Sequence, residues 1–181
     1  MSAAVAVEAP IVVAPMRRRH LRGVVQIEQQ TNHRPWSHGL FAGELRLPTS
    51  RIYVVALCGS VVVGFGGVML TGYEAHITNV AVDPAYHRRQ IGTRLMLVLL
   101  RACIARLVED VTLEVRITNT AAQEMYRRFG FAPGGIRHNY YADLGEDALI
   151  MWANKIHEER YGARLTTIEA GLGTKLWTDG C

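Results

Sequence analysis

The chain is poor in cysteine, in long uncharged apolar runs and in aromatic residues, which make up 8% of its 181 residues. Its three cysteines, Cys58, Cys103 and Cys181, are scattered and odd in number, with no Cys-x-x-Cys pair. That argues against a disulfide framework and against a cysteine-based zinc site, and no metal is expected. A reducing, cytoplasmic setting fits this usage best. No stretch reaches about 18 apolar residues without a charge, so no spanning helix and no membrane partner are expected. The apolar opening, residues 1 to 15, is followed by Arg17, Arg18 and Arg19 rather than preceded by them. A secretory signal has the opposite order. A basic stripe interleaved with aromatics is missing too, so direct nucleic-acid binding is not expected.

What is present is an apolar share of 49%, a charged share of 20% and a net charge of +4. This suits one domain with extensions. Residues 1–14 read as a loosely ordered tail, 15–153 as the domain and 154–181 as an extension packing variably on the surface. Leu21, Val24, Val25 and Ile27 have helical spacing, and Ser37 can cap a second short helix through Phe41 and Leu45. Arg51–Leu57 and Val61–Leu70 read as strands around a Gly59-Ser60 turn. Gly64, Gly66 and Gly67 suggest a bulge or bend in the second of them. Ala75–Val82 is a strand, Thr93–Leu107 a buried helix, Val111–Ile117 a strand and Thr120–Phe129 a helix stopped by Gly130. Cys103 reads as core. Phe131-Ala132, Ile136-Arg137 and Ala148–Ala153 can close the sheet. The order predicts an α/β (α+β) fold, a mixed central β-sheet flanked by helices, with a parallel crossover near the Val111 strand.

Two segments carry chemistry. His87–Thr93 is a turn feeding a helix, where unpaired N–H groups converge at the positive end of the helix dipole. A pyrophosphate is a natural ligand there. Arg88 and Arg89 add charge, Gln90 and Ile91 contribute backbone, Gly92 permits close approach and the Thr93 hydroxyl is a further donor. In the second segment, strand alternation sends Glu114 and Arg116 to one face and Leu113 and Val115 to the other. A mid-sheet Glu is either in a salt bridge with a nearby arginine or acts as a general base that deprotonates an amine nucleophile. Partial burial is expected to raise its pKa toward the working pH. Tyr126, one short helix later, can protonate a leaving thiolate or serve as a core aromatic. Asn119 can cap that helix or bond a cofactor arm.

These strings resemble the GCN5-related N-acetyltransferases (GNATs), and among them the RimI-like enzymes that acetylate protein N-termini. Pro35-Trp36-Ser37, Phe41, Glu44-Leu45, Arg137–Tyr141 and Gly145–Met151 extend the resemblance over about residues 14 to 152. It implies the GNAT fold and acetyl-CoA as cofactor. The backbone of Val80, Ala81 and Val82 would pair with the pantetheine arm. Glu114 would be the base and Tyr126 the acid, with Asn119 on the cofactor. Trp36, Tyr140 and Tyr141 would line the acceptor groove, and phenol rings suit that task. Glu146 and Asp147 would order the loop. The family turn reads Gln/Arg-x-x-Gly-x-Gly/Ala, and this chain departs from it at His87 and Gln90. The Gln90 side chain is expected either to crowd the phosphates or to sit on a residue of negative φ. The acceptor implied is a protein N-terminus, such as the N-terminal alanine of a small-subunit ribosomal protein. The other readings are transfer to a lysine side chain or small amine, and a non-catalytic acyl-CoA sensor.

Overall fold

The computed structural model describes residues 9–181. Thirteen labelled elements follow in chain order: β1 (Ile11–Pro15), α1 (Leu21–Thr31), α2 (His38–Glu44), β2 (Arg51–Cys58), β3 (Val61–Thr71), β4 (Glu74–Val82), α3 (Ile91–Ala105), β5 (Asp110–Arg116), α4 (Thr120–Arg128), β6 (Ala132–Tyr141), β7 (Glu146–Ala153), α5 (Glu159–Ala170) and the short β8 (Trp177–Thr178), with a turn of 3-10 helix at Arg18–His20. The strands form one mixed sheet in the order β6-β7-β5-β4-β3-β2-β1-β8. β4 and β5 are parallel and joined through α3, as the element order predicts.

Two apolar layers sandwich the sheet. On one face α3 buries Ile91, Leu95, Met96, Leu97, Leu99, Leu100 and Cys103 against Val54, Val63, Ile77, Leu113 and Val115. Each such side chain stabilises the fold by about 1.5–3 kcal/mol relative to exposure. Gly66 lets the helix lie close: a Cβ there would stand 2.8 Å from Leu99 Cδ1. On the other face α1 and α2 bury Leu21, Val24, Ile27 and Phe41 against Tyr53, Val55 and Phe65. Ser37 caps α2, its Oγ accepting from Leu40 N at 3.2 Å. Gly130 follows α4 with φ +86, the left-handed stop expected of it.

The glycine-rich strand carries its expected bulge at Val63, since Ala56 opposes Gly64 and Leu57 opposes Val62. A second register shift, between Gly67 and Val68, belongs to β4. Gly67 opposes Asn79 and Val68 opposes Ile77, so Thr78 is the extra residue.

Both expected extensions need correction. Residues 11–14, assigned to a loose tail, lie in β1 between β2 and β8, with Val13 fully buried. Residues 1–8 of that tail lie outside the described residues. The C-terminal extension is not variable surface. Tyr161, Leu165 and Ile168 join the α3 core, and Tyr161 Oη donates to Phe129 O at 2.7 Å. Their i, i+4, i+7 spacing is the helical signal that marks this segment in the sequence.

Candidate active site

The site begins where β4 leaves β5. Their pairing runs from Glu74↔Asp110 to Ile77↔Leu113 and stops there. Beyond it, β5 continues paired to β7 through Arg116, while β4 continues paired to β3 through Val82. The two strands diverge, and among the described residues no strand pairs with Val80, Ala81 and Val82 on the β5 side of β4. An extended chain bearing amides can add to such an edge by main-chain bonds. The side-chain Oδ1 of Asn79, at the start of this edge, is buried without a partner among the described residues. A buried acceptor in that state calls for a donor from outside the fold.

The edge leads to the opening of α3. The N–H groups of Ile91, Gly92 and Thr93 find no acceptor among the described residues. Arg88 and Gln90 are left-handed, with φ +65 and +57. Alternation of this kind curls successive N–H groups into an anion-binding nest. Of the two alternatives for Gln90, the negative φ is excluded. The peptide must turn sharply to aim its N–H groups, and the glutamine accepts the left-handed conformation that a glycine would take without strain. Gly92 sits tightly against α4, a Cβ there standing 3.2 Å from Met125 Sδ. An open edge ending in a nest fits the pantetheine and pyrophosphate of a coenzyme A carrier.

Glu114 lies on the α1/α2 face, opposite Leu113 and Val115, as alternation requires. Its Oε2 is hydrogen-bonded to His76 Nε2 of β4, and its Oε1 stands 3.4 Å from Arg137 Nε of β6. Of the two open readings of the carboxylate, the pairing with an arginine is present, with Arg137. The Glu114 pKa is lowered, not raised as burial alone would have it. The His76 hydrogen bond is the largest cause, opposed by desolvation and reinforced by the charges of His76 and Arg137. His76 was missed in the sequence because nothing marks a lone histidine 38 residues from its partner.

Tyr126 is buried on α4, its ring 5.9 Å from that of Phe131. Burial pushes its phenol pKa well above the ordinary value, with the neighbouring Tyr141 adding to the shift. The group is held protonated. Asn119 caps α4, its Oδ1 accepting from Ala122 N at 3.2 Å.

The α1–α2 loop carries Trp36, and the end of β6, just before the β6–β7 loop, carries Tyr140 and Tyr141. Trp36 packs on Phe41 at 5.3 Å between ring centres, and its backbone N–H donates to Oε1 of buried Glu28 at 3.2 Å. Across from it, Tyr140 and Tyr141 meet edge to face at 5.1 Å, and Arg137 lies over the Tyr140 ring. An Arg34–Asp143 pair at 2.9 Å joins the two loops. Asp147 orders the second loop by accepting from Asn139 N at 2.7 Å, and Glu146 accepts from Thr118 Oγ1 at 3.0 Å. His76, Glu114, Arg137 and the tyrosines thus form one connected patch, whereas Arg88–Thr93 lie at the far end of the open edge.

An interrupted parallel strand pair that can seat a phosphorylated carrier, with a carboxylate beside it, defines a carrier-dependent acyltransferase. Residues 21–131 match the Acetyltransferase (GNAT) family, and the chain belongs to that family. It is 34% identical over 148 residues to "N-alpha-acetyltransferase RimI" of Mycobacterium tuberculosis, covering 78% of this chain and 91% of that protein. It is 37% identical over 128 residues to the "[Ribosomal protein bS18]-alanine N-acetyltransferase" of Salmonella typhimurium, covering 70% and 85% of the two chains. The crystal structure of the ribosomal-protein-S18-alanine N-acetyltransferase from Escherichia coli superposes with a TM-score of 0.74 at 30% identity, covering 81% of this chain and 94% of that one. Among the described residues no helix is long and apolar enough to cross a membrane.

Proposed function

We propose that this chain transfers an acetyl group directly from acetyl-CoA to the α-amine of a protein N-terminus. The observation that carries the proposal is the Glu114–His76 pair beside the open β4 edge, linked through Arg137 to Tyr140 and Tyr141 at the end of β6. Its relatives' stated activity supports an N-terminal alanine of a ribosomal protein as the acceptor. Bound acetyl-CoA supplies the activated acyl group. Val80, Ala81 and Val82 would hold its pantetheine arm by main-chain bonds, and Asn119 would offer its Nδ2 to that arm. Arg88, Arg89, Gln90, Ile91, Gly92 and Thr93 form the phosphate nest.

Glu114, kept ionised by His76 and Arg137, accepts the amine proton on its carboxylate. An α-amine has a reference pKa of about 7.7–8, against about 10.4 for lysine, so a weak base suffices for an N-terminus. Tyr126 keeps its proton at neutral pH and donates it at Oη to the departing sulfur. Trp36, Tyr140 and Tyr141 grip the first residues of the acceptor.

The test is thiol release from acetyl-CoA with short peptides whose N-termini are free or blocked. Activity confined to free N-termini is expected. Activity that survives blocking and requires lysine would move the reaction to side chains. Tight acetyl-CoA binding with no release on any peptide would favour a sensor.

A further inference from the structure

The glycine of the family turn is replaced here by Gln90, and the C-terminal segment 171–178 is fastened to that residue. Gln90 Oε1 accepts from Gly173 N at 2.8 Å, and its Nε2 donates to Gly171 O at 3.4 Å. One turn further along α3, fully buried Arg94 donates from Nη1 to Lys175 O at 2.8 Å. Its Nη2 donates to Thr174 O at 2.9 Å and to Thr174 Oγ1 at 2.6 Å. The segment is anchored at both ends. It leaves α5, which is seated in the core, and ends in β8, which pairs with β1. Leu172 and Leu176 pack against the α3 cluster between those ends.

An L-residue in the left-handed region carries a steric cost that glycine avoids. Gln90 bears that cost at the position that shapes the nest. The two bonds to the segment are available to its side chain in this conformation and offset the cost. The buried guanidinium ties the same segment to the first turn of the helix.

We propose that segment 171–178 is part of the cofactor site: through Gln90 and Arg94, both positioning residues, it holds the pyrophosphate nest in its left-handed shape. This rests on the reading that the nest binds the pyrophosphate of acetyl-CoA.

Three variants and two acetyl donors test it. Gln90→Ala keeps the left-handed cost and loses both bonds. Gln90→Gly loses the bonds and the cost together. Arg94→Lys keeps the charge but not the fork. The donors are acetyl-CoA and S-acetylpantetheine, which lacks the pyrophosphate. A nest populated in the binding shape for only a fraction of the time weakens apparent affinity by that fraction. Gln90→Ala should therefore raise KM for acetyl-CoA about tenfold, with KM for S-acetylpantetheine unchanged. Gln90→Gly should stay within about twofold of the parent chain, since no strain remains to be offset. Arg94→Lys should show the same donor-selective loss as Gln90→Ala.

Equal losses with both donors would reduce the segment to general structural support and overturn the proposal. So would equal losses in the Ala and Gly variants, or none in Gln90→Ala. A parent chain that uses both donors equally well would instead refute the pyrophosphate assignment itself.

Discussion

Replacing Glu114 by Gln is the most direct challenge to the proposed chemistry. The carboxamide keeps the shape of the side chain and can still hydrogen-bond His76, so the sheet should hold. What is lost is the proton acceptor and the charge that Arg137 faces at 3.4 Å. Arg137 is about half exposed, so that pair adds little to stability. Removal of a positioned base lowers turnover by about 10²–10⁴-fold, or about 2.7–5.5 kcal/mol in the barrier. The pH dependence sharpens the test. The Glu114 pKa is depressed, chiefly by the His76 bond, so the carboxylate stays ionised down into the ordinary Glu range. Its stabilising interactions are present above the unfolded-state pKa and fade as pH falls through the lower folded-state value. The rise in rate through neutral pH then includes deprotonation of the acceptor amine, and that part should survive in Glu114→Gln at the reduced level. His76→Gln removes the largest cause of the depression, so the acidic limb should move upward in pH. The assay is thiol release on a free-N-terminus peptide between pH 5 and 9, alongside calorimetric binding of CoA, which should be unchanged. Turnover of Glu114→Gln within about threefold of the parent, far short of the loss expected for a base, would remove the carboxylate from the mechanism.

Tyr126→Phe deletes only the phenol oxygen and should cut turnover by about 10²-fold, the low end for a general acid, with little change in peptide KM. A normal rate at every pH would reject the acid role. Glu28 is buried beneath the Trp36 loop, and desolvation raises its pKa. Its folded-state pKa exceeds the unfolded one, so its contribution is most favourable below the unfolded value and is lost as pH rises through the folded value. Glu28→Gln, which retains an acceptor for Asn32 and Trp36, should match or exceed the parent's stability at pH 8 and lose that advantage toward pH 4, read from urea midpoints. A midpoint at pH 8 well below the parent's would contradict this. Gly67→Ala places a Cβ 2.2 Å from Tyr53 Cε1. Tyr53 is buried and held by Glu44 at 3.0 Å, so it cannot swing clear and about 1–3 kcal/mol of stability should be lost. An unchanged urea midpoint would show that the ring yields.

The elements with a strong period were legible in the sequence. The buried α3, the β2–β3 hairpin and the left-handed stop at Gly130 each follow from local residue chemistry. β1 was not, because five apolar residues show no period and their burial comes from strands paired on both sides. α5 had a period but a weak one, diluted by charged and glycine residues around Tyr161, Leu165 and Ile168. In the site, Glu114, Tyr126 and the aromatics Trp36, Tyr140 and Tyr141 stood out as residue types in a pattern. His76 and the Arg34–Asp143 tie did not, since each joins residues far apart in the chain. The direction of the Glu114 shift was misjudged for the same reason. Burial can be guessed from a strand pattern, but the histidine that outweighs it comes from another strand. The left-handed φ of Gln90 was not legible, because it is set by the turn and its cost is offset by a segment 81–83 residues further on.

The bulge at Thr78 explains how one strand serves two tasks. Before it, Ala75 and Ile77 face the α3 core while His76 faces Glu114. After it, Val80 and Val82 face that same core, and Ala81 faces the α1/α2 layer. The extra residue restores the apolar phase after a shift of register. Thr78 itself turns to the α1/α2 side, with its Oγ1 3.5 Å from Tyr53 Oη. Strict alternation from Ile77 would put Asn79 in the α3 core and Val80 on the acceptor face. The bulge instead lies where the β4–β5 ladder ends, at Ile77. The first half of β4 can therefore pair with β5 tightly enough to bring His76 to Glu114. The second half can leave β5 with its core side chains still in phase. A strand without the bulge could bind the carboxylate or open toward a carrier, but its apolar residues would be misplaced in one of the two halves.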